Sequence, residues 1–148
     1  MSDFSIRKMQ ESDISRVLEI SQKTETIAQW TEKQFFNELQ RADSFCFVLG
    51  EDVFGFAVCW KVLDEFEISQ IAISQDFRRE GLGWNLLDFL LSFAKENSCN
   101  LVNLEVMESN FPALELYKKA GFEIVGKRKN YYSNSQNALL LTLDLREF

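Results

Sequence analysis

Histidine is absent from the 148 residues. That gap excludes Ser-His-Asp and Cys-His nucleophilic catalysis and every His-containing metal site, so acid–base work must fall to Glu, Asp, Tyr, Lys or Cys. Cysteine is scarce: Cys46, Cys59 and Cys99 form no CxxC pair, and Cys46 and Cys59 lie in apolar strand-like segments. They read as small core residues rather than reactive thiols, and a disulfide framework is not expected. No apolar run approaches the roughly 20 residues that span a bilayer, so no membrane association is expected. Met1-Ser2-Asp3-Phe4 has neither a basic region nor an apolar stretch, which argues against a signal peptide and for the cytoplasm. A basic surplus is missing too. The net charge of −7 speaks against a general nucleic-acid binder and suits a basic or amine-bearing substrate. No repeat, low-complexity tract or linker interrupts the chain, so residues 1–148 are expected to form one domain, and the 46% hydrophobic content supports a packed core.

What is present centres on residues 68–94. Ile68, Ile71 and Ile73 give a β-branched strand pattern. Leu82, Leu86, Leu87, Leu90, Phe93 and Ala94 then recur at helical steps. Between them lies Arg78-Arg79-Glu80-Gly81-Leu82-Gly83. Two glycines permit a tight turn and close approach of a ligand, and a helix starting there offers unpartnered amides and a dipole that favours an anion. The stretch reads as a phosphate cradle to which Arg78 and Arg79 add positive charge; a plain turn is the simpler alternative. A P-loop would need Lys and Ser/Thr after the second glycine, where Trp84 and Asn85 stand. A dinucleotide fingerprint would need a third glycine at Leu86, although Glu105 falls near the distance of a ribose-binding acid.

Along the chain, the pattern predicts a strand at 4–9, a helix capped by Ser12 or Asp13, and a second helix capped by Thr31. Strands follow at 44–49, 53–63 and 68–73 as an antiparallel meander. After the glycine turn and its helix, residues 101–106 form a strand that the helical crossover makes parallel to its predecessor. Asn110 caps a helix with the single proline, Pro112, in its first turn and Gly121 closing it. Two strands, 122–127 and 138–145, complete an α/β chain with a mixed sheet.

This order, with the motif Arg78-Arg79-Glu80-Gly81-Leu82-Gly83, resembles the GNAT superfamily of acyl-CoA-dependent N-acetyltransferases. Within it the chain is similar to bacterial ribosomal-protein-alanine N-acetyltransferases. The likeness rests on residues 29–35, Ile71-Ala72-Ile73 with the glycine turn, Leu104-Glu105-Val106-Met107-Glu108-Ser109-Asn110 with Leu116-Tyr117 and Ala120-Gly121-Phe122, and 127–132 ending in Asn130-Tyr131-Tyr132. It implies a roughly seven-stranded mixed sheet, flanked by about four helices and splayed between strands 68–73 and 101–106. It also implies acetyl-CoA as acetyl donor without a metal, and as acceptor a protein's N-terminal α-amine, that of an alanine on a small-subunit ribosomal protein; the alternatives are the same chemistry on a lysine, polyamine or other small amine, and a CoA-binding regulatory module without turnover. By the same resemblance the backbone of Ile71, Ala72 and Ile73 would pair with the pantetheine arm. The amides of Arg79, Glu80, Gly81, Leu82, Gly83 and Trp84 would hold the pyrophosphate, and Asn110 would contact the donor near its arm. Glu105 would be general base and Tyr117 general acid. The sequence departs from the family at Met107, where a basic residue is common, at Trp84, often arginine, and at Gln29, usually proline.

The chemistry agrees independently. Attack of an amine on a thioester needs a neutral amine and a proton for the departing thiolate. An α-amine with a pKa of about 8 is roughly one-tenth neutral at pH 7, against about one in several thousand for a lysine, which favours the N-terminal acceptor. Simpler readings remain for individual residues. Glu105 could face solvent, Tyr117 could be core packing, and Tyr131 and Tyr132 could be edge aromatics rather than a substrate loop.

Overall fold

Four strands with short or helical connections build the first half of one sheet: β1 (Ile6–Lys8), β2 (Ser44–Leu49), β3 (Gly55–Val62) and β4 (Glu65–Ile73). Three more complete it: β5 (Leu101–Met107), β6 (Glu123–Arg128) and β7 (Ala138–Asp144). The computed structural model describes residues 4–78, 81–132 and 135–147. The strand order is β1-β2-β3-β4-β5-β7-β6, antiparallel throughout except for the β4–β5 pair. That pair is parallel because α3 (Leu82–Glu96) carries the chain back between its strands, as the crossover requires.

The helices cover the two faces unequally. Apolar residues of α3 and α4 (Phe111–Ala120), including Leu86, Leu90 and Leu114, pack with Phe66, Val102 and Leu104 on one face. On the other face α1 (Ile14–Gln22) and α2 (Glu32–Leu39) bring Val17, Ile20 and Phe35 against Val48, Phe56 and Val58. Thr31 caps α2 as its sequence predicts, accepting from the Gln34 amide while the Gln34 side chain accepts from Thr31 N–H. Gly121 closes α4 in the left-handed region at φ 107°. All three cysteines are buried and unpaired.

Two local expectations are corrected. Asp13 does not cap α1: its carboxylate holds Arg7 at 2.8 and 2.9 Å and accepts from the Gln10 amide at 2.8 Å, so it serves a short 3-10 turn before the helix. The third strand begins at Gly55 rather than Val53. Val53 adopts φ 49° and donates to the Gly50 carbonyl, which keeps it in the turn.

The site is placed by how β4 meets its neighbours. Against β3 the register shifts between Val58 and Cys59, leaving Ser69 unpaired between Ile68 and Gln70. A bulge of this kind bends the strand. Against β5 the pairing runs only from Glu65↔Leu101 to Ile68↔Leu104. Beyond that point the strands part, as expected for the 68–73 and 101–106 segments. Gly55 lets β3 and β4 stay close there: an added Cβ would stand 2.7 Å from Ile73 Cδ1 and 2.8 Å from the Ala72 carbonyl oxygen. Because one of those atoms is backbone, Gly55→Ala should push β4 outward and lower stability by about 1–3 kcal/mol. Urea denaturation would record this as a lower midpoint; an unchanged midpoint would mean that β4 yields without cost.

Candidate active site

The glycine turn ends in an N-cap without a side-chain acceptor. Gly81 sits at φ 79°, and the Asn85 amide makes the first helical bond to its carbonyl at 3.1 Å. The amides of Leu82, Gly83 and Trp84 therefore precede the helical ladder. A Cβ at Gly81 would meet nothing within 4 Å, so its backbone angle rather than space calls for glycine. At Gly83 a Cβ would lie 3.7 Å from Leu116 Cδ2, an ordinary contact, so packing within the protein does not demand glycine. Arg79 and Glu80, both expected in the cradle, lie outside the described residues. Arg78 does not point freely at an anion: its Nε donates to the Ile73 carbonyl at 3.0 Å and its Nη2 to Thr24 Oγ1 at 3.3 Å. The nearby cation that sequence reasoning missed is Lys119, whose Nζ lies 5.7 Å from the centre of the Trp84 ring. No linear pattern joins α4 to the start of α3.

Where β4 and β5 part, a cavity of about 200 Å³ opens. Ile71 and Glu105 stand on its strand walls, and Asn110, Tyr117, Tyr131 and Tyr132 close it. Both expected proton-transfer residues thus reach one space. Of the strand expected to pair with a ligand, the β5-facing edge beyond Ile68 has no strand partner among the described residues, but the Ile73 carbonyl is already taken by Arg78. Ala72 is buried in the α1–α2 core. Asn110 caps α4 through Oδ1, which accepts from the Ala113 amide at 3.4 Å; its Nδ2 has no partner among the described residues.

A second cavity, about 420 Å³, lies on the sheet face that α3 and α4 leave open, with Glu67, Asn103, Leu140 and Thr142 on its walls. Glu105 and Tyr131 line both. Asn103 Nδ2 donates to Glu65 and Glu67, each at 2.9 Å, and its Oδ1 accepts from Thr142 at 2.7 Å, so the acidic pair is held by an amide.

The protonation of the tyrosines follows from burial. Tyr117 is 4% exposed, and burial, reinforced by Tyr132 and Cys59, pushes its phenol well above the ordinary range. It is therefore neutral and a proton donor at any working pH. Burial likewise pushes Tyr132 up to about 12, with Glu105 contributing. Glu105 Oε1 accepts from Arg128 Nη1 at 2.7 Å. Gln70, also missed from sequence, is 3% exposed; its Nε2 donates to the Ala28 carbonyl at 3.0 Å and so ties the α1–α2 connection to β4. Among the described residues there is no group of acidic and cysteine side chains that could hold a metal ion.

Comparison with known proteins matches this geometry to a family. The acetyltransferase (GNAT) family profile matches residues 14–122. A Bacillus subtilis relative is 35% identical over 97% of each chain, and its name provisionally describes a [ribosomal protein bS18]-alanine N-acetyltransferase. The Escherichia coli K12 [ribosomal protein bS18]-alanine N-acetyltransferase is 30% identical, covering 95% of this chain and 97% of its own. The crystal structure of the E. coli ribosomal-protein-S18-alanine N-acetyltransferase superposes with a TM-score of 0.85 at 30% identity, covering 95% of this chain and 93% of that one. Ard1 from Thermoplasma volcanium superposes with a TM-score of 0.85 at 32% identity, covering 95% and 96%. With its parted parallel strands, its glycine-capped α3 and these relatives along nearly its whole length, the chain belongs to the GNAT family of acetyltransferases.

Proposed function

We propose that this protein transfers the acetyl group of acetyl-CoA to the N-terminal α-amine of a protein, the alanine of ribosomal protein bS18. The observation that carries the reading is the meeting of Glu105 and Tyr117 in the one cavity between β4 and β5. The relatives that span nearly the whole chain and bear that name supply the acceptor.

Acetyl-CoA supplies an activated acyl thioester. The amides of Leu82, Gly83 and Trp84 would hold its diphosphate, with Lys119 adding charge beside them. The fit is supported by the glycine N-cap, which places no side chain before those amides. The free edge of β4 at Ile71 would receive the extended arm as an added strand, and Asn110 would offer its unused Nδ2. Glu105 takes a proton from the acceptor's ammonium, directly or through water, which frees the nitrogen lone pair. The N–C bond forms, the C–S bond breaks, the sulfur leaves with the Tyr117 proton, and the second proton shed by the nitrogen as it becomes an amide returns to the Tyr117 phenolate through water. Burial keeps the Tyr117 phenol protonated and so available as a donor. An α-amine asks less of Glu105 than a lysine does, because its pKa of about 8 is roughly two units lower.

Tyr117→Phe should lower kcat about 10²-fold or more while leaving acetyl-CoA affinity within about twofold; steady-state kinetics with calorimetric binding would show it, and unchanged kcat would remove Tyr117 from the mechanism. Glu105→Gln should lower kcat/KM comparably. A peptide beginning with the bS18 N-terminal alanine should release free thiol at least about tenfold faster than an N-blocked peptide carrying lysine. Equal rates, or a preference for the lysine, would refute the acceptor assigned here. With the alanine peptide, kcat/KM should rise as the α-amine loses its proton near pH 8 and show no Tyr117 loss below about pH 10.

A further inference from the structure

Among the described residues a single cation touches the carboxylate of Glu105, and the way it gets there is unusual. β7 separates β5 from β6, so Arg128 starts about two strand spacings, roughly 10 Å, from the strand that carries Glu105. Register puts Glu105 opposite Leu140 and Leu140 opposite Gly126, while Arg128 lies two residues further on, opposite Ala138. Gly126 presents no side chain in that row. Arg128, half-exposed on this edge strand, reaches back across the open face to Glu105 Oε1 at 2.7 Å. Its guanidinium carbon also lies 4.3 Å from the centre of the Tyr131 ring, which meets Tyr132 edge to face at 5.1 Å. Its neighbour Lys127 goes elsewhere, to Glu108 at 3.3 Å. The Tyr131 side chain also stands within hydrogen-bonding reach of the Glu105 carboxylate.

We propose that Arg128 is a positioning residue for acetyl transfer: it fixes one oxygen of Glu105 and, stacked on Tyr131, links that carboxylate to the Tyr131–Tyr132 loop that walls the acceptor's approach. This rests on the reading of Glu105 as the base. A planar guanidinium stacked on an aromatic ring is held in orientation in a way an ammonium is not. An acceptor seated against Tyr131 and Tyr132 therefore steadies the ring, the ring steadies the guanidinium, and the guanidinium aims the carboxylate.

The test compares Arg128→Met, Arg128→Lys, Tyr131→Ala and the double variant Arg128→Met/Tyr131→Ala, using an alanine-initiated peptide and acetyl-CoA. Arg128→Met should lower kcat about tenfold or more, with acceptor KM, acetyl-CoA affinity and melting temperature nearly unchanged. Arg128→Lys should restore part of the loss, since it keeps the charge without the fork. Tyr131→Ala should lower kcat, and the double variant should be no slower than Arg128→Met, because both changes break one linkage. Turnover of Arg128→Met within about twofold of the parent, or additive losses in the double variant, would overturn the proposal. So would a lower acceptor KM in Arg128→Met with kcat retained, which would make the guanidinium a competitor for the amine's place. Glu105→Gln separates the two readings. If that variant turns over normally, the assignment of the base has failed; if it is inactive while Arg128→Met is not, only the positioning role has failed.

Discussion

Strands β4 and β5 share only four paired positions, Glu65 to Ile68 against Leu101 to Leu104, and their parting governs where each functional side chain can stand. A parallel pair that continued would satisfy its own backbone and close the sheet. By stopping, it leaves a free strand edge on one side and turns the far end of β5, with Glu105, toward a cavity. The unpaired Ser69 in β4 sits just past the last paired residue, so the bend of a bulge and the loss of pairing coincide. Buried backbone groups without partners are costly, so a free edge inside a sheet is one that another extended chain can satisfy.

That opening is framed from both faces. Below it, α3 and α4 are fastened through the larger core, and Tyr117 belongs to that core while bordering the cavity. Its phenol is thus held by packing, and the same burial explains its reluctance to ionise. Above it, the α1–α2 connection hangs from β4 through Gln70 and from the start of the glycine turn through Arg78 and Thr24. The α1–α2 connection is therefore anchored both on one strand and at its exit.

Much of this was written locally and could be read in order along the chain. Thr31 with Gln34, Gly121 after Ala120, and the apolar steps of α3 each describe a structure within a few residues, so the elements and the parallel crossover follow from pattern alone. The parting of the strands was placed by family resemblance, and Ser69 carries no glycine or proline that would mark a bulge. What stayed hidden are contacts between segments remote in sequence. Asp13 resembles a helix cap, but a bidentate arginine six residues earlier competes for the same carboxylate and wins. Lys119 beside Trp84, Gln70 on Ala28 and Arg128 on Glu105 join residues 35, 42 and 23 positions apart. Composition and periodicity hold no record of such distances, because a register two strands away decides them.

The burial of all three thiols bears on the order of events during turnover. Burial raises each thiol's pKa, that of Cys46 to about 11, so none is a ready thiolate. Without an imidazole anywhere in the chain, the hydroxyls of Thr26 and Ser69 at the cavity have no partner of the usual kind to activate them. Among the described residues, these thiols and hydroxyls thus lack the activation that an acyl-enzyme formed on them would need. Direct transfer with donor and acceptor bound together follows from that, and double-reciprocal plots at varied concentrations of each should then intersect rather than run parallel.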